Sequence, residues 1–248
     1  MKTKTPTRAR RRQGHPPAAL TPAAMGLDPQ HYAAALRYLF DRPVPAPGEP
    51  EWYWDLDEPA FQATPLEWTR IQTLLFARAG TDLAPYSDEQ VGMGLNHVMS
   101  NNAGDIPHMA HDPFVPLDDA LRMLQAMPYL WRDCIGPRLA QVSARIGSGT
   151  AGRLGFVCYM WFDVWPTFWN ARHLPQWRDA LWQLFCEMLD MPCREVQIAA
   201  LHGIGHDGRD LQRPPGILNE RVERFIRQVR DDDELITYAR AAASGMVQ

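Results

Sequence analysis

The run Gly155–Trp169, G-F-V-C-Y-M-W-F-D-V-W-P-T-F-W, limits the fold more than any other stretch of this chain. Trp161, Trp165 and Trp169 recur every four residues, which sets them along one stripe of a helix. Such a stripe predicts a central core helix, from about Arg153 to Val164, with Pro166 ending or bending it. The helices near 88–102 and 193–206 are expected to pack on it. Asp163 stands among the indoles. A carboxylate in that setting must reach water or a partner, because burying it alone is costly. Arg153, Arg172, His202 and the amides of Asn96 and Asn101 are the candidate partners. A buried Asp163–His202 pair would be an acid/base dyad; a structural hydrogen-bond hub is the plainer reading.

The remaining chain reads as helices joined by Pro-rich loops. Asp28-Pro29 offers an N-cap and a proline at the first helical position, opening a helix to about Asp41. Pro43–Pro50 is extended, and Trp52, Tyr53 and Trp54 form an arm that packs back on the core. Thr64-Pro65-Leu66-Glu67 is a capping box that starts a helix to about Ala79, stopping at Gly80. Ser87 to Gln90 repeats that logic, and its helix ends near Asn101-Asn102. Pro116, followed by Asp118 and Asp119, opens a helix that Pro128 should kink or split. Pro137–Gly152 is the weakest region for order and the best internal boundary. Further helices follow Pro175 and Pro192, then run from Leu218 and from Asp233 to Ala243. The helices near Trp177 and Leu218 start about 41 residues apart, the period of HEAT-like pairs. No strand series occurs. The expected class is all-α, an irregular helical bundle or α-solenoid of HEAT-like helix pairs, with residues 27–248 as one domain.

Charge divides the chain. Six cations, Lys2, Lys4, Arg8, Arg10, Arg11 and Arg12, precede the first acid, Asp28. Residues 1–26 therefore read as a disordered basic tail. The body keeps 19 Lys and Arg against 29 Asp and Glu, a net −10. That balance argues against nucleic acid as the body's partner, since phosphate contacts need clustered cations. No uncharged apolar run reaches the ~20 residues of a membrane-spanning helix. Gln13–Met25 has no apolar segment of the secretory type. Cys134, Cys158, Cys186 and Cys193 form no C-x-x-C, which fits reduced thiols and a cytoplasmic location.

Four groups of residues could carry chemistry. Gly147-Ser-Gly149-Thr-Ala-Gly152 is formally G-x-G-x-x-G, but the alternating strands and helices of a dinucleotide fold are missing, so it reads as a loop. His202 and His206, four apart in L-H-G-I-G-H-D, share a helical face and can bind a metal, with Asp207 or Asp210 adding a carboxylate. Gly203 stands where H-E-x-x-H needs its base, and a tight helix crossing through Gly203 and Gly205 is the plainer reading. His108 and His111, with Asp105 and Asp112, lie in a loop; with His97 they supply three imidazoles, enough for a catalytic zinc with an open position. The catalytic candidates are Asp163, His202 and Asn96, and the metal candidates His97, His108, His111, His202 and His206. No other cofactor is expected.

At Asp88–Asn102, Cys158–Pro166 (C-Y-M-W-F-D-V-W-P) and Ala200–His206 (A-L-H-G-I-G-H) the chain resembles a family of uncharacterised bacterial helical proteins. The last motif also resembles HEAT-repeat helices. The resemblance covers about 83–247. It implies an α-helical, repeat-like fold and supplies no activity. The expected function is a protein-binding module with an acidic surface, one version being an immunity- or antitoxin-like inhibitor. The alternative is a hydrolase-like enzyme with a His/Asp site drawn from Asn96, His97, Asp163, His202 and His206. An Asp163–His202 contact on the floor of an open pocket would favour the enzyme.

Overall fold

A computed structural model describes residues 20–143, 145–148, 152–166, 173–211, 213–214 and 216–247. The basic block Arg8–Arg12, Gly149 of the glycine loop, Trp169 and Arg172 lie outside the described residues. Ten α-helices are present and no strand occurs among the described residues. They are α1 Pro29–Phe40, α2 Pro65–Asp82, α3 Asp88–Met99, α4 Leu117–Leu130, α5 Gly136–Leu139, α6 Gly152–Val164, α7 Pro175–Leu189, α8 Arg194–Asp207, α9 Ile217–Ile226 and α10 Asp233–Ser244.

The local start signals act as the sequence predicts. Asp28 caps α1 by accepting from the Gln30 amide, with Pro29 at the first position. Reciprocal capping boxes form at Thr64–Glu67 and Ser87–Gln90, each satisfying two otherwise orphaned backbone donors. Helix α2 does not stop at Gly80 but continues to Asp82. Its last turn is held by the Arg78–Asp82 ion pair, 2.8 Å, and by the Leu83 amide on Ala79. Pro128 sits inside α4, and the backbone re-satisfies itself through a π-helical turn, Trp131–Ile135, leading into α5. The ordered fold begins before residue 27: Ala23–Met25 forms a 3-10 turn whose Met25 is buried, so the 20–26 end of the expected tail is structured.

Helix α6 packs against α3 on one side and α8 on another, while α2 lies along α4 and α8 also meets α7 and α10. Trp161 of α6 and Trp165 just past its end are fully buried, and Trp161 meets Trp131 and Phe76 edge-on. Gly92 makes the α3 contact feasible, because a Cβ there would lie 2.6 Å from the Leu154 nitrogen. One apolar core holds residues on both sides of 137–152, from Met25 to Ala242. The four cysteines are free. No described helix is long and apolar enough to cross a membrane.

Candidate metal centre

The site forms where α6, α8 and α10 meet. Tyr159 and Asp163 lie four apart on α6, and His202 and His206 four apart on α8, so each pair projects from a single face. The helices approach closely at Gly203, where an added Cβ would fall 2.7 Å from the Phe185 ring and 2.9 Å from Phe162. Asp163 then bridges both histidines. Its Oδ2 lies 3.2 Å from His202 Nε2 and its Oδ1 3.2 Å from His206 Nε2. One donor atom from each of the three residues falls within 4.8 Å of the others. Among the described residues this is the one His/Cys/Asp/Glu group that meets that spacing.

Behind the cluster, Tyr238 of α10 places its hydroxyl 2.6 Å from His202 Nδ1. The Tyr159 and Tyr238 hydroxyls are 3.3 Å apart, and the Tyr159 ring lies 4.2 Å from the His202 imidazole. The His202 side chain is 2% exposed, Asp163 26% and His206 39%, so the group has a sealed rear and an accessible front. Burial lowers the His202 pKa, opposed by the hydrogen bond and charge of Asp163. The neutral imidazole that results is the form a metal requires. Burial likewise raises the Tyr238 pKa, with the Tyr159 hydrogen bond adding to it, so the phenol keeps its proton.

The hydrogen-bond chain has two settings. With Nε2–H donating to Asp163, His202 Nδ1 accepts from the Tyr238 hydroxyl. Were His202 to serve as a ligand through its other nitrogen, Nδ1–H would donate to the Tyr238 oxygen, and the Tyr238 hydroxyl would donate in turn to Tyr159. Tyr238 serves either state because a hydroxyl both donates and accepts.

Other expected residues go elsewhere. The Asn96 amide donates to the Tyr53 hydroxyl at 2.7 Å, outside the cluster, so it is not a neighbour of Asp163 through that bond. His97 is buried between Tyr53, stacked at 5.3 Å, and Trp52, edge-on at 4.8 Å. His111 stacks on Trp177 and His108 is exposed, so the three imidazoles form no ligand set together. Arg153 pairs with Glu51 and Glu89 rather than Asp163. Asp207 and Asp210 are not part of the cluster. The sequence reading missed Tyr238, which carries no motif, and His206 as a direct Asp163 partner, although its four-residue spacing from His202 signalled it. The expected Asp163–His202 contact is present, but two cavities of about 350 and 300 Å³ are lined by other residues, so the contact does not form the floor of either. No protein-family model, curated protein or solved structure matches the chain.

Proposed function

We propose that this chain binds one divalent transition metal through Asp163, His202 and His206 and acts there as a hydrolase-like protein. The observation that carries the reading is the convergence of three donor atoms from α6 and α8 within 4.8 Å. Two imidazoles and a carboxylate suit zinc, and three protein ligands are the number that catalytic zinc sites use while keeping a position open. When bound, such an ion supplies Lewis acidity at neutral pH. Within the chain, His202 forms the buried anchor, Tyr238 holds its second nitrogen, and the partly exposed Asp163 and His206 face the approach from solvent. Orienting contacts of the Tyr238 kind are the usual companions of metal-binding histidines.

The test is calorimetric titration of chelator-treated protein with Zn²⁺ and Co²⁺. The expected result is one equivalent bound with sub-micromolar affinity, and a cobalt absorption spectrum of low-coordinate type. Asp163→Asn and His206→Ala should abolish it, while Tyr238→Phe should weaken it roughly 10- to 100-fold. Hydrolysis of chromogenic phosphate or acyl esters, lost on chelation and in Asp163→Asn, would extend the result to activity. Failure of the metal to bind stoichiometrically, or an unaltered affinity in Asp163→Asn, rejects the reading.

A second reading keeps the chain as a HEAT-like, helical-repeat protein-binding module of immunity or antitoxin type, whose acidic body meets a basic partner. It draws on the contacts of α7 with α8 and α9 with α10, and on the exposed Trp54 and Phe156. Under it the Asp–His–His cluster is a hydrogen-bond hub that takes up no metal, so the same titration separates the two.

A further inference from the structure

A cavity of about 350 Å³ lies between the Trp52–Trp54 arm, α3 and α6, apart from the Asp–His–His cluster. Its walls include Tyr53, Trp54, Met93, Asn96, Arg153 and Phe156. Two features of this wall are unusual for a surface dent. Trp54 is 48% exposed and Phe156 55%, so two large aromatic side chains stand open at one cavity. The charge beside them is also lopsided. Arg153 donates Nε–H to Glu51 at 3.2 Å and Nη1–H to Glu89 at 2.7 Å, so one guanidinium is shared by two carboxylates. The three groups together carry one net negative charge. The arm continues into Asp55 and Asp57, both exposed.

We infer that this cavity recognises an organic cation, a quaternary ammonium or a guanidinium group, held over the Trp54 and Phe156 rings against the Glu51–Glu89 charge. Aromatic faces attract cations through their quadrupole, and quaternary ammonium ligands are characteristically taken up in aromatic enclosures. An anion is disfavoured because the Arg153 fork is already spent on carboxylates. Glu51 accepts from Arg153 and from the Trp54 indole N–H, and Asn96 donates to Tyr53, but the surplus negative charge of the group would be taken out of water by a purely apolar ligand with nothing to offset it. The arm is held in place from behind: Tyr53 stacks on the buried His97 and accepts from Asn96. Burial holds the His97 imidazole neutral at physiological pH, so it adds no positive charge of its own behind the Tyr53 ring. The floor is therefore preformed, which reduces the ordering cost of binding.

The cation can come as a free small molecule or as a side chain of a peptide, and the two are distinguished by probe. Calorimetry and ligand-observed NMR on the full chain would use choline and N-acetyl-arginine methylamide as cations. The neutral isostere 3,3-dimethylbutanol and acetate are the controls. At least one cation should bind, with the neutral isostere roughly tenfold weaker and acetate not at all. Choline binding alone identifies a free ammonium compound, and arginine binding alone a peptide side chain; either supports the assignment. Trp54→Ala and Glu51→Gln should each cost roughly tenfold. Trp54 is half exposed, so its variant should fold, and a thermal melt checks that it does. The metal-site variant Asp163→Asn should leave cation affinity unchanged, so this inference can fail or stand separately from the metal reading. Neither cation binding, the isostere binding as well as choline, or Trp54→Ala binding normally would each overturn it.

Discussion

At the scale of single residues, His97 and His202 show how one side-chain type takes two roles. Both are buried, and burial lowers the pKa of each. His202 has polar partners on both nitrogens, whereas His97 is walled by rings and its Nδ1 has no hydrogen-bond partner. The His97 pKa falls to about 4, desolvation outweighing a backbone hydrogen bond to Ala103. The sign of the consequence follows. Below its ordinary pKa of about 6.5, an unfolded imidazole gains a proton that the folded one refuses. The stability His97 contributes is thus fully present above pH ~6.5 and is lost as pH falls towards 4, by up to about 3 kcal/mol. Urea unfolding of wild type and His97→Phe at several pH values checks this. Carboxylate effects are common to both proteins, so the variant should lose less stability between pH 6.5 and 4. Parallel pH profiles would show that His97 does not titrate with unfolding.

At the scale of elements, the α6–α8 crossing sets the site, and Gly203 sets the crossing. Replacing Gly203 with alanine brings two opposed effects. Helix propensity gains up to about 1 kcal/mol. Against it, the new Cβ lies 2.7 Å from Phe185 and 2.9 Å from Phe162, two rings locked edge to face at 4.7 Å. Overpacking of that kind costs about 1–3 kcal/mol, so after the propensity gain the net effect should be a loss of up to about 2 kcal/mol in chemical unfolding. A stabilised Gly203→Ala would mean that the crossing has slack. The same crossing shows what was legible in the sequence. The i,i+4 pair His202–His206 was readable because its geometry is internal to one helix. The caps at Thr64 and Ser87 were readable for the same reason. Tyr238 was not, since it reaches His202 across 36 residues and sits in an ordinary helical sequence. The π-turn after Pro128 was also hidden: proline announces a broken ladder, but the packing of Trp131 and Ile135 decides how the backbone repairs it. Asn96 and His97 are neighbours in sequence with the candidate site in view, yet the Trp52–Trp54 arm claims them, and arm docking is a tertiary choice.

At the scale of the whole molecule, α6 joins two groups of helices, with α3 on one side and α8 on the other, and α8 in turn carries α10. The all-α class followed from the lack of strand patterning, and the packing of α3 and α8 on the aromatic helix was expected from its indole stripe; that α10 closes the site behind α8 was not, since no local signal marks that contact. A metal at Asp163, His202 and His206 would tie α6 to α8, and Tyr238 would extend the tie to α10. Because the unfolded chain does not hold these three donors together, a metal bound only to the folded state adds stability by mass action. At a free zinc concentration about 100-fold above the Kd the gain is about 2.7 kcal/mol. For a chain of this size each kcal/mol moves the Tm by roughly 2–4 °C, which predicts a rise of roughly 5–10 °C. Differential scanning calorimetry with buffered zinc and with chelator measures it, and Asp163→Asn should show no rise. Hydrogen exchange should slow across α6, α8 and α10 together, because the metal joins elements distant in sequence. Slowing confined to the last turn of α8 would instead place zinc on the His202–His206 pair alone, and would remove Asp163 from the ligand set.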